Sequence, residues 1–179
     1  MYNIDSILIS KNPEIILRRA TSEDMGFIEE VSFKEMEQIV VEAWRGKFNW
    51  SKWFEDVAEA ITNSYHRVFV IENTGEAIGY LWLNEEPQLV WITAIVIKRG
   101  WQRQHIGGYL MKYIIREALG HGKIAIELGV QDNNIAARRF YSKWGFKKFD
   151  HLGTASTVLV RLDLRQLTIQ ELKEDTTDF

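Results

Sequence analysis

Ile95-Val96-Ile97-Lys98-Arg99-Gly100-Trp101-Gln102-Arg103-Gln104-His105-Ile106-Gly107-Gly108-Tyr109-Leu110-Met111 runs from an apolar strand through a basic, glycine-containing turn and straight into a helix. Where a strand gives way to a helix within about eight residues, the unpaired N–H groups of the first helical turn converge on one spot and carry roughly half a positive charge. Phosphate or pyrophosphate is the natural occupant of such a spot. Arg99 and Arg103 add full charges at the rim, while Gly107 and Gly108 remove side chains where backbone and ligand must approach closely. On this segment alone the competing reading is an ordinary turn with a solvated basic edge. Other phosphate motifs fit worse: no Gly-Lys-Ser/Thr follows the loop, and GxGxxG does not occur.

Working outward, Val130-Gln131-Asp132-Asn133-Asn134-Ile135-Ala136-Ala137-Arg138-Arg139-Phe140-Tyr141-Ser142-Lys143-Trp144-Gly145-Phe146 reads as a strand end, an Asn-rich cap, an amphipathic helix, a glycine stop and a new strand. Asn133 or Asn134 caps the helix, and Gly145 suits the left-handed position after it. Ala137, Phe140, Tyr141 and Trp144 recur at helical spacing, as core positions do.

Together the two segments resemble the GNAT superfamily of acyl-CoA-dependent N-acetyltransferases. The family's cofactor motif, Gln/Arg-x-x-Gly-x-Gly/Ala after an apolar Leu-x-Val strand, is met by Ile95-x-Ile97 followed by Gln102-Arg103-Gln104-His105-Ile106-Gly107. Its second pattern, Val-x-x-x-Asn-x-x-Ala-x-x-x-Tyr-x-x-x-Gly-Phe, is met by Val130, Asn134, Ala137, Tyr141, Gly145 and Phe146. Each motif is short, but their order and separation make the pair specific, and with flanking strands the resemblance spans about residues 15 to 162. One departure stands out: the first glycine of the family motif is His105 here. A Cβ at that position calls for a helical or β backbone and not a left-handed one, and His105 then either touches a phosphate or crowds it.

The resemblance implies acetyl-CoA as co-substrate. It implies that the strands Leu89 to Ile97 and Ile124 to Val130 splay into a V-shaped cleft, so that backbone groups around Ile95, Val96 and Ile97 pair with the pantetheine arm as a pseudo-strand. By the same resemblance the pyrophosphate sits on the backbone of residues 102 to 108, which comprises Gln102, Arg103, Gln104, His105, Ile106, Gly107 and Gly108. Asn134, Ala137 and Tyr141 complete the cofactor set, with Asn134 and Tyr141 facing the thioester end.

A chain of 179 residues holds one core and is short for two, so residues 1–165 read as one domain and 166–179 as a polar, acidic tail, a short helix followed by frayed residues. The 46% hydrophobic fraction, with seven Trp and nine Phe, supports a well-packed globule. No apolar run reaches the ~18 residues of a membrane span, and Met1 to Ser6 lack the basic start of a signal peptide, which points to the cytoplasm. A formal charge of -3 argues against nucleic acid as a partner. With no cysteine there is no disulfide, no thiolate metal site and no cysteinyl acyl-enzyme, and His66, His105, His121 and His151 lack metal-ligand spacing, so no metal is expected.

Along the chain, Ile15 to Ala20 reads as a first strand. Thr21 or Ser22 then caps a helix carried by Phe27, Ile28, Val31, Met36, Ile39, Val40 and Ala43, which breaks around Gly46. The Ser22-x-x-Met25 spacing lacks a full capping box. A second helix covers Ser51 to Ile61. His66 to Glu72 and Ala77 to Leu83 flank a hairpin turn at Asn73-Thr74-Gly75-Glu76, and Leu89 to Ile97 completes an antiparallel meander. A helix from His105 to Leu119, a strand from Ile124 to Val130, the Asn134 helix and two last strands follow. With the resemblance, the expected fold is α+β in α/β/α layers: a mixed, largely antiparallel sheet of about six to seven strands, splayed and flanked by helices.

Acyl transfer to an amine needs a neutral amine, a polarised thioester carbonyl and a proton for the leaving thiolate. Direct attack in a ternary complex is the simplest route, with a strand N–H near Ile97 meeting the oxyanion. Tyr141 occupies the family's tyrosine position and is the candidate general acid; a packing tyrosine is its alternative. Residues 89 to 93 carry no carboxylate, so Glu127 on the neighbouring strand is the candidate base, with a solvent-exposed strand position as the competing reading. Glu85 and Glu86, in the turn before Pro87, are weaker candidates. Trp44, Phe48, Trp50 and Trp53, with Trp82 and Trp91, suggest an aromatic-lined acceptor pocket or simply core. A peptide N-terminus, a protein lysine, a polyamine and a small amine all stay open as acceptors, the first favoured by short acceptor loops. Transfer of a longer acyl group is a third open reading. Exposed strand edges favour a homodimer. The alternative to an enzyme is a catalytically silent acyl-CoA-binding or protein-interaction domain.

Overall fold

Val68, Phe69, Val70 and Ile71 are all buried, so the strand that carries them is covered on both faces. A strand without a wet face needs a layer above and a layer below. The computed structural model, which describes residues 6–11, 13–63, 66–152, 156–165 and 167, supplies both. In chain order the elements are β1 (Ser6–Lys11), β2 (Glu14–Arg19), α1 (Met25–Ala43), α2 (Trp50–Thr62), β3 (His66–Asn73), β4 (Glu76–Glu85), β5 (Leu89–Ile97), α3 (Ile106–Gly120), β6 (Ala125–Gln131), α4 (Ile135–Lys143), β7 (Lys147–Leu152) and β8 (Thr157–Asp163). All eight strands form one sheet in the order β1-β2-β3-β4-β5-β6-β8-β7. Every neighbouring pair is antiparallel except β5 and β6.

One core lies on the face covered by α1 and α2, where Ile28, Val31, Val57 and Ala60 pack on Val68, Val70, Tyr80, Trp82, Ala94 and Val96. The other lies on the α3 and α4 face, where Ile106, Leu110, Met111 and Ile114 pack on Phe69, Ile71, Leu81, Ile92 and Leu128. The α1 and α2 face is the front of the sheet and the α3 and α4 face its back.

The α/β/α layering matches the expectation, but the sheet has eight strands, not six or seven. The extra strand is β1, which precedes Ile15 and buries Ile7 and Ile9 partly against the back core. The helix cap also sits one residue earlier than the Ser22 frame suggested. The Thr21 N–H donates to Asp24 Oδ2 at 2.8 Å, a short 3-10 turn spans Ser22–Asp24, and Arg18 grips both Asp24 oxygens at 2.8 and 3.0 Å. That guanidinium holds the Asp24 carboxyl below its ordinary range. β4 continues to Glu85, so this residue lies in a strand and not in a turn, paired with Arg67. The hairpin turn is as expected, with Thr74 and Gly75 both at positive φ. The expected tail, residues 166–179, falls outside the described residues apart from Leu167.

Candidate active site

β5 and β6 are bonded to each other only from Leu89↔Ala125 to Ile92↔Leu128, although β5 runs on to Ile97 and β6 to Gln131. Beyond Ile92 each arm stays anchored on its outer side, Ala94–Ile97 to β4 and Gly129–Gln131 to β8. The inner sides face each other across an open wedge. The physical cause is a bulge: Trp82 pairs with Ala94 but Leu83 with Ile92, which leaves Thr93 as the extra residue on β5. A bulge bends its strand and sharpens the twist, so β5 turns away from β6 at the residue where their pairing ends.

The arm of β5 leads directly into the cradle. A 3-10 turn spans Arg99–Trp101, pinned by the Arg99 N–H donating to Glu35 Oε1 of α1 at 2.9 Å. The Gln102 amide donates to the Ile97 carbonyl at 2.8 Å, and the Gln104 amide to the Gly100 carbonyl at 2.9 Å. Arg103 (φ 60°) and His105 (φ 61°) both enter the left-handed region, a conformation that curls successive N–H groups inward. The expectation for His105 is therefore overturned: the backbone keeps the glycine-like geometry and the histidine adopts it. The cost of a left-handed residue bearing a Cβ is about 1–2 kcal/mol. The His105 side chain is exposed. The N–H groups of Ile106 and Gly107 begin α3 and have no acceptor among the described residues. Arg99 and Arg103 are exposed at the rim.

Gly107 serves a purpose that the sequence did not disclose. A Cβ there would lie 3.3 Å from Phe140 Cζ, so the missing side chain lets α4 close on the start of α3. α4 itself is capped by Asn134, whose Oδ1 accepts the Ala137 N–H at 3.1 Å, and it ends at Gly145 with φ 84°. Asn134 Oδ1 is thus occupied in capping. Tyr141 points to the back of the sheet, its ring packed on Phe140 and Phe146 at centroid separations of 5.3 and 5.5 Å. Burial pushes its phenol well above the ordinary tyrosine range, so it keeps its proton. It lines a cavity of about 180 Å³ with Val130, Ser142, Phe146 and Val158.

Glu127 is 6% exposed, which overturns the solvent-exposed reading. Leu128 and Val130 point into the back core as alternation requires, and Glu127 faces the front, where one carboxylate oxygen accepts from both Nε and Nη2 of Arg161 on β8. Tyr141 and Glu127 thus occupy opposite faces of the sheet beside the wedge. Of the weaker candidates for the base, Glu85 is tied to Arg67 and lies 3.9 Å from Lys123.

Trp44, Phe48 and Trp50 are joined edge to face, with Phe48–Trp50 at 4.8 Å, and Trp53 packs tilted on Phe48 at 5.9 Å and reaches Trp82 edge to face at 5.3 Å. The cluster is half-buried, packed on one side and open on the other. Two residues shape the cleft in ways the sequence does not assign to them, Asn133 being one of the two candidate caps. Asn133 donates to the Ile39 carbonyl at 3.2 Å and to Glu42 Oε2 at 2.9 Å, tying the end of α1 to the loop after β6. Arg161 orients Glu127 from a strand 34 positions away; no local signal announces it. The Thr93 bulge had a signal, the phase slip in Val90-x-Ile92-x-x-Ile95-x-Ile97. Among the described residues no helix is long and apolar enough to cross a membrane.

The chain is similar to an uncharacterised N-acetyltransferase of Mycobacterium tuberculosis (strain ATCC 25618 / H37Rv), 28% identical over 91 residues, which are 50% of this chain and 58% of that protein. The match thus spans little more than half the length of the curated relative. Similar solved structures include the PaiA N-acetyltransferase from Thermoplasma acidophilum in complex with coenzyme A, with a TM-score of 0.68 and 19% identity over 83% of this chain and 98% of that one. The ribosomal-protein-S18-alanine N-acetyltransferase from Escherichia coli gives a TM-score of 0.67 and 15% identity over 87% and 97%. At such identities the likeness speaks for the fold alone. The model of the Acetyltransferase (GNAT) family matches residues 33–146. Since that match takes in well over half of the chain, from α1 through α4, the chain belongs to the GNAT acetyltransferase family.

Proposed function

We propose that the protein is an N-acetyltransferase that moves an acetyl group from acetyl-CoA to a primary amine by direct attack in a ternary complex. The observation that carries this reading is the continuity of the wedge with the cradle: the free inner edge of Thr93–Ile97 runs into a turn with inward N–H groups and a cationic rim. The residues suit a coenzyme A thioester. Free strand-edge groups match an amide-bearing arm, and first-turn N–H groups with Arg99 and Arg103 match a pyrophosphate. The bound thioester supplies an activated acetyl group. β5 edge N–H groups near Ile97 orient and polarise its carbonyl. Tyr141, kept protonated by burial, holds the proton that a departing thiolate requires. Glu127 faces the front of the cleft and takes up the amine proton, directly or through water. The complex with coenzyme A described for the Thermoplasma acidophilum protein supports the donor.

The test joins calorimetry with acetyl-CoA to thiol release across a panel of amines. A micromolar dissociation constant, about -8 kcal/mol, is expected, with release dependent on an amine. Tyr141→Phe should lower turnover by about 10²-fold and leave acetyl-CoA affinity nearly unchanged. Binding without release from any amine would instead favour a silent acyl-CoA-binding domain, and no binding at all would remove both.

A further inference from the structure

We infer that the acceptor is a peptide N-terminus carrying an acidic side chain at its second or third residue, and that Arg161 and Lys147 recognise that carboxylate; the inference rests on the transferase reading. The sheet register sets four residues in one row across the front face: Trp91 on β5, Glu127 on β6, Arg161 on β8 and Lys147 on β7. The row lies one residue below the apex of the wedge, where the last bonded pair of β5 and β6 is Ile92↔Leu128. Directly opposite residues share a face, so the row reads aromatic, acid, cation, cation outward from the reaction centre.

The two cations of the row are accessible, and Glu127 is buried behind them. Glu127 engages Nε and Nη2 of Arg161 through Oε1, which leaves Glu127 Oε2 and Arg161 Nη1 outside the pair. The Arg161 side chain is 48% exposed and its Cζ lies 5.2 Å from the centre of the Phe149 ring, itself exposed, which fixes the plane of the guanidinium. Lys147 is exposed, and no carboxylate lies within ion-pair reach of it among the described residues. The acid in the following row, Asp150, turns its Oδ1 back to accept the His151 N–H at 2.7 Å. Glu127 cancels one of the two cations, so the outer half of the row keeps a net positive charge that a polyamine would meet as repulsion and a carboxylate as attraction.

Spacing selects the ligand. Strands lie about 4.8 Å apart, so β8 and β7 stand roughly 7 and 12 Å from the midline of the wedge. An extended peptide rises about 3.3 Å per residue. An amine held at the wedge apex therefore brings a carboxylate to Arg161 and Lys147 from the second or third side chain.

The test is calorimetry on the whole chain with two tripeptide amides, glycylglycylglutamate and glycylglycylglutamine, beside a separate titration with acetyl-CoA. The glutamate peptide is expected to bind at least tenfold more tightly. In Lys147→Glu that preference should vanish while the glutamine peptide and acetyl-CoA bind as before. Equal affinity for the two peptides, binding of neither, or a Lys147→Glu loss shared by both overturns the inference. Because the acetyl-CoA titration stands alone, failure of the donor reading and failure of the acceptor inference are told apart.

Discussion

His105 occupies a backbone position built for glycine. Its φ of 61° was not legible from the residue type, since a Cβ disfavours the left-handed region, whereas the anchors on either side decide the outcome. Glu35 fixes Arg99, Gln102 fixes Ile97, and α3 must begin at Ile106, so the intervening turn has one path. His105→Gly should therefore raise stability by about 0.5–1 kcal/mol, relief of left-handed strain less the extra entropy of an unfolded glycine. For a chain of this size that is an increase in Tm of about 1–4 °C, read by thermal unfolding, with acetyl-CoA affinity equal or tighter. A fall in Tm would mean that side-chain contacts of His105 outweigh its backbone strain. Other site residues were readable: a cap at Asn133 or Asn134, which the structure places at Asn134, and Gly145 as a stop follow from local chemistry, and the facing of Glu127 from simple alternation. Its burial and its partner were not, because Arg161 comes from a strand whose register only the assembled sheet sets.

At the level of elements, the wedge follows from two strands that pair along half their length. The meander, the four helices and the motif-bearing turns were all legible, since hydrophobic period and cap residues are local signals. β1 was not, because a short strand before Pro13 offers little more than Ile7 and Ile9 as a pattern. The splay was expected only through family resemblance, yet its cause lies in the sequence as the slip of phase at Thr93. A wedge with a free inner edge makes a measurable claim. Amides of Thr93–Ile97 that face the wedge are bonded to neither β4 nor β6, so they should exchange with solvent faster than those of β3, which has a neighbour on each side. Acetyl-CoA should slow exchange in this arm and in the first turn of α3 while leaving β3 unchanged. Slowing spread evenly over the sheet would signal general stabilisation by ligand and not pairing at the edge.

Across the whole molecule, two cores share one sheet, and each holds a buried tyrosine. Tyr80 lies in the front core, fully buried, with its hydroxyl 2.9 Å from Ser32 Oγ. Tyr113 lies in the back core, and its buried hydroxyl has no hydrogen-bond partner among the described residues. Burial raises both phenols to about 12 from an ordinary value of 10.0. The folded chain therefore keeps these two protons at a pH where the unfolded chain has released them. By linkage, the contribution of these two groups to stability is fully present below pH 10 and falls as pH rises from 10 toward 12, with Tyr80 alone contributing a loss of roughly 2–3 kcal/mol. Because β3 and β4 carry side chains into both cores, the two layers should come apart in one transition and their alkaline losses should add. The variants separate the two effects. Tyr80→Phe strands Ser32 without its partner and should lose about 1 kcal/mol at neutral pH, with a shallower decline above pH 10. Tyr113→Phe surrenders no hydrogen bond, so it should match the parent at neutral pH and exceed it at pH 11. Urea unfolding at pH 7, 10 and 11 reads both, and a Tyr113→Phe curve that parallels the parent throughout would show that this hydroxyl reaches water in the folded protein.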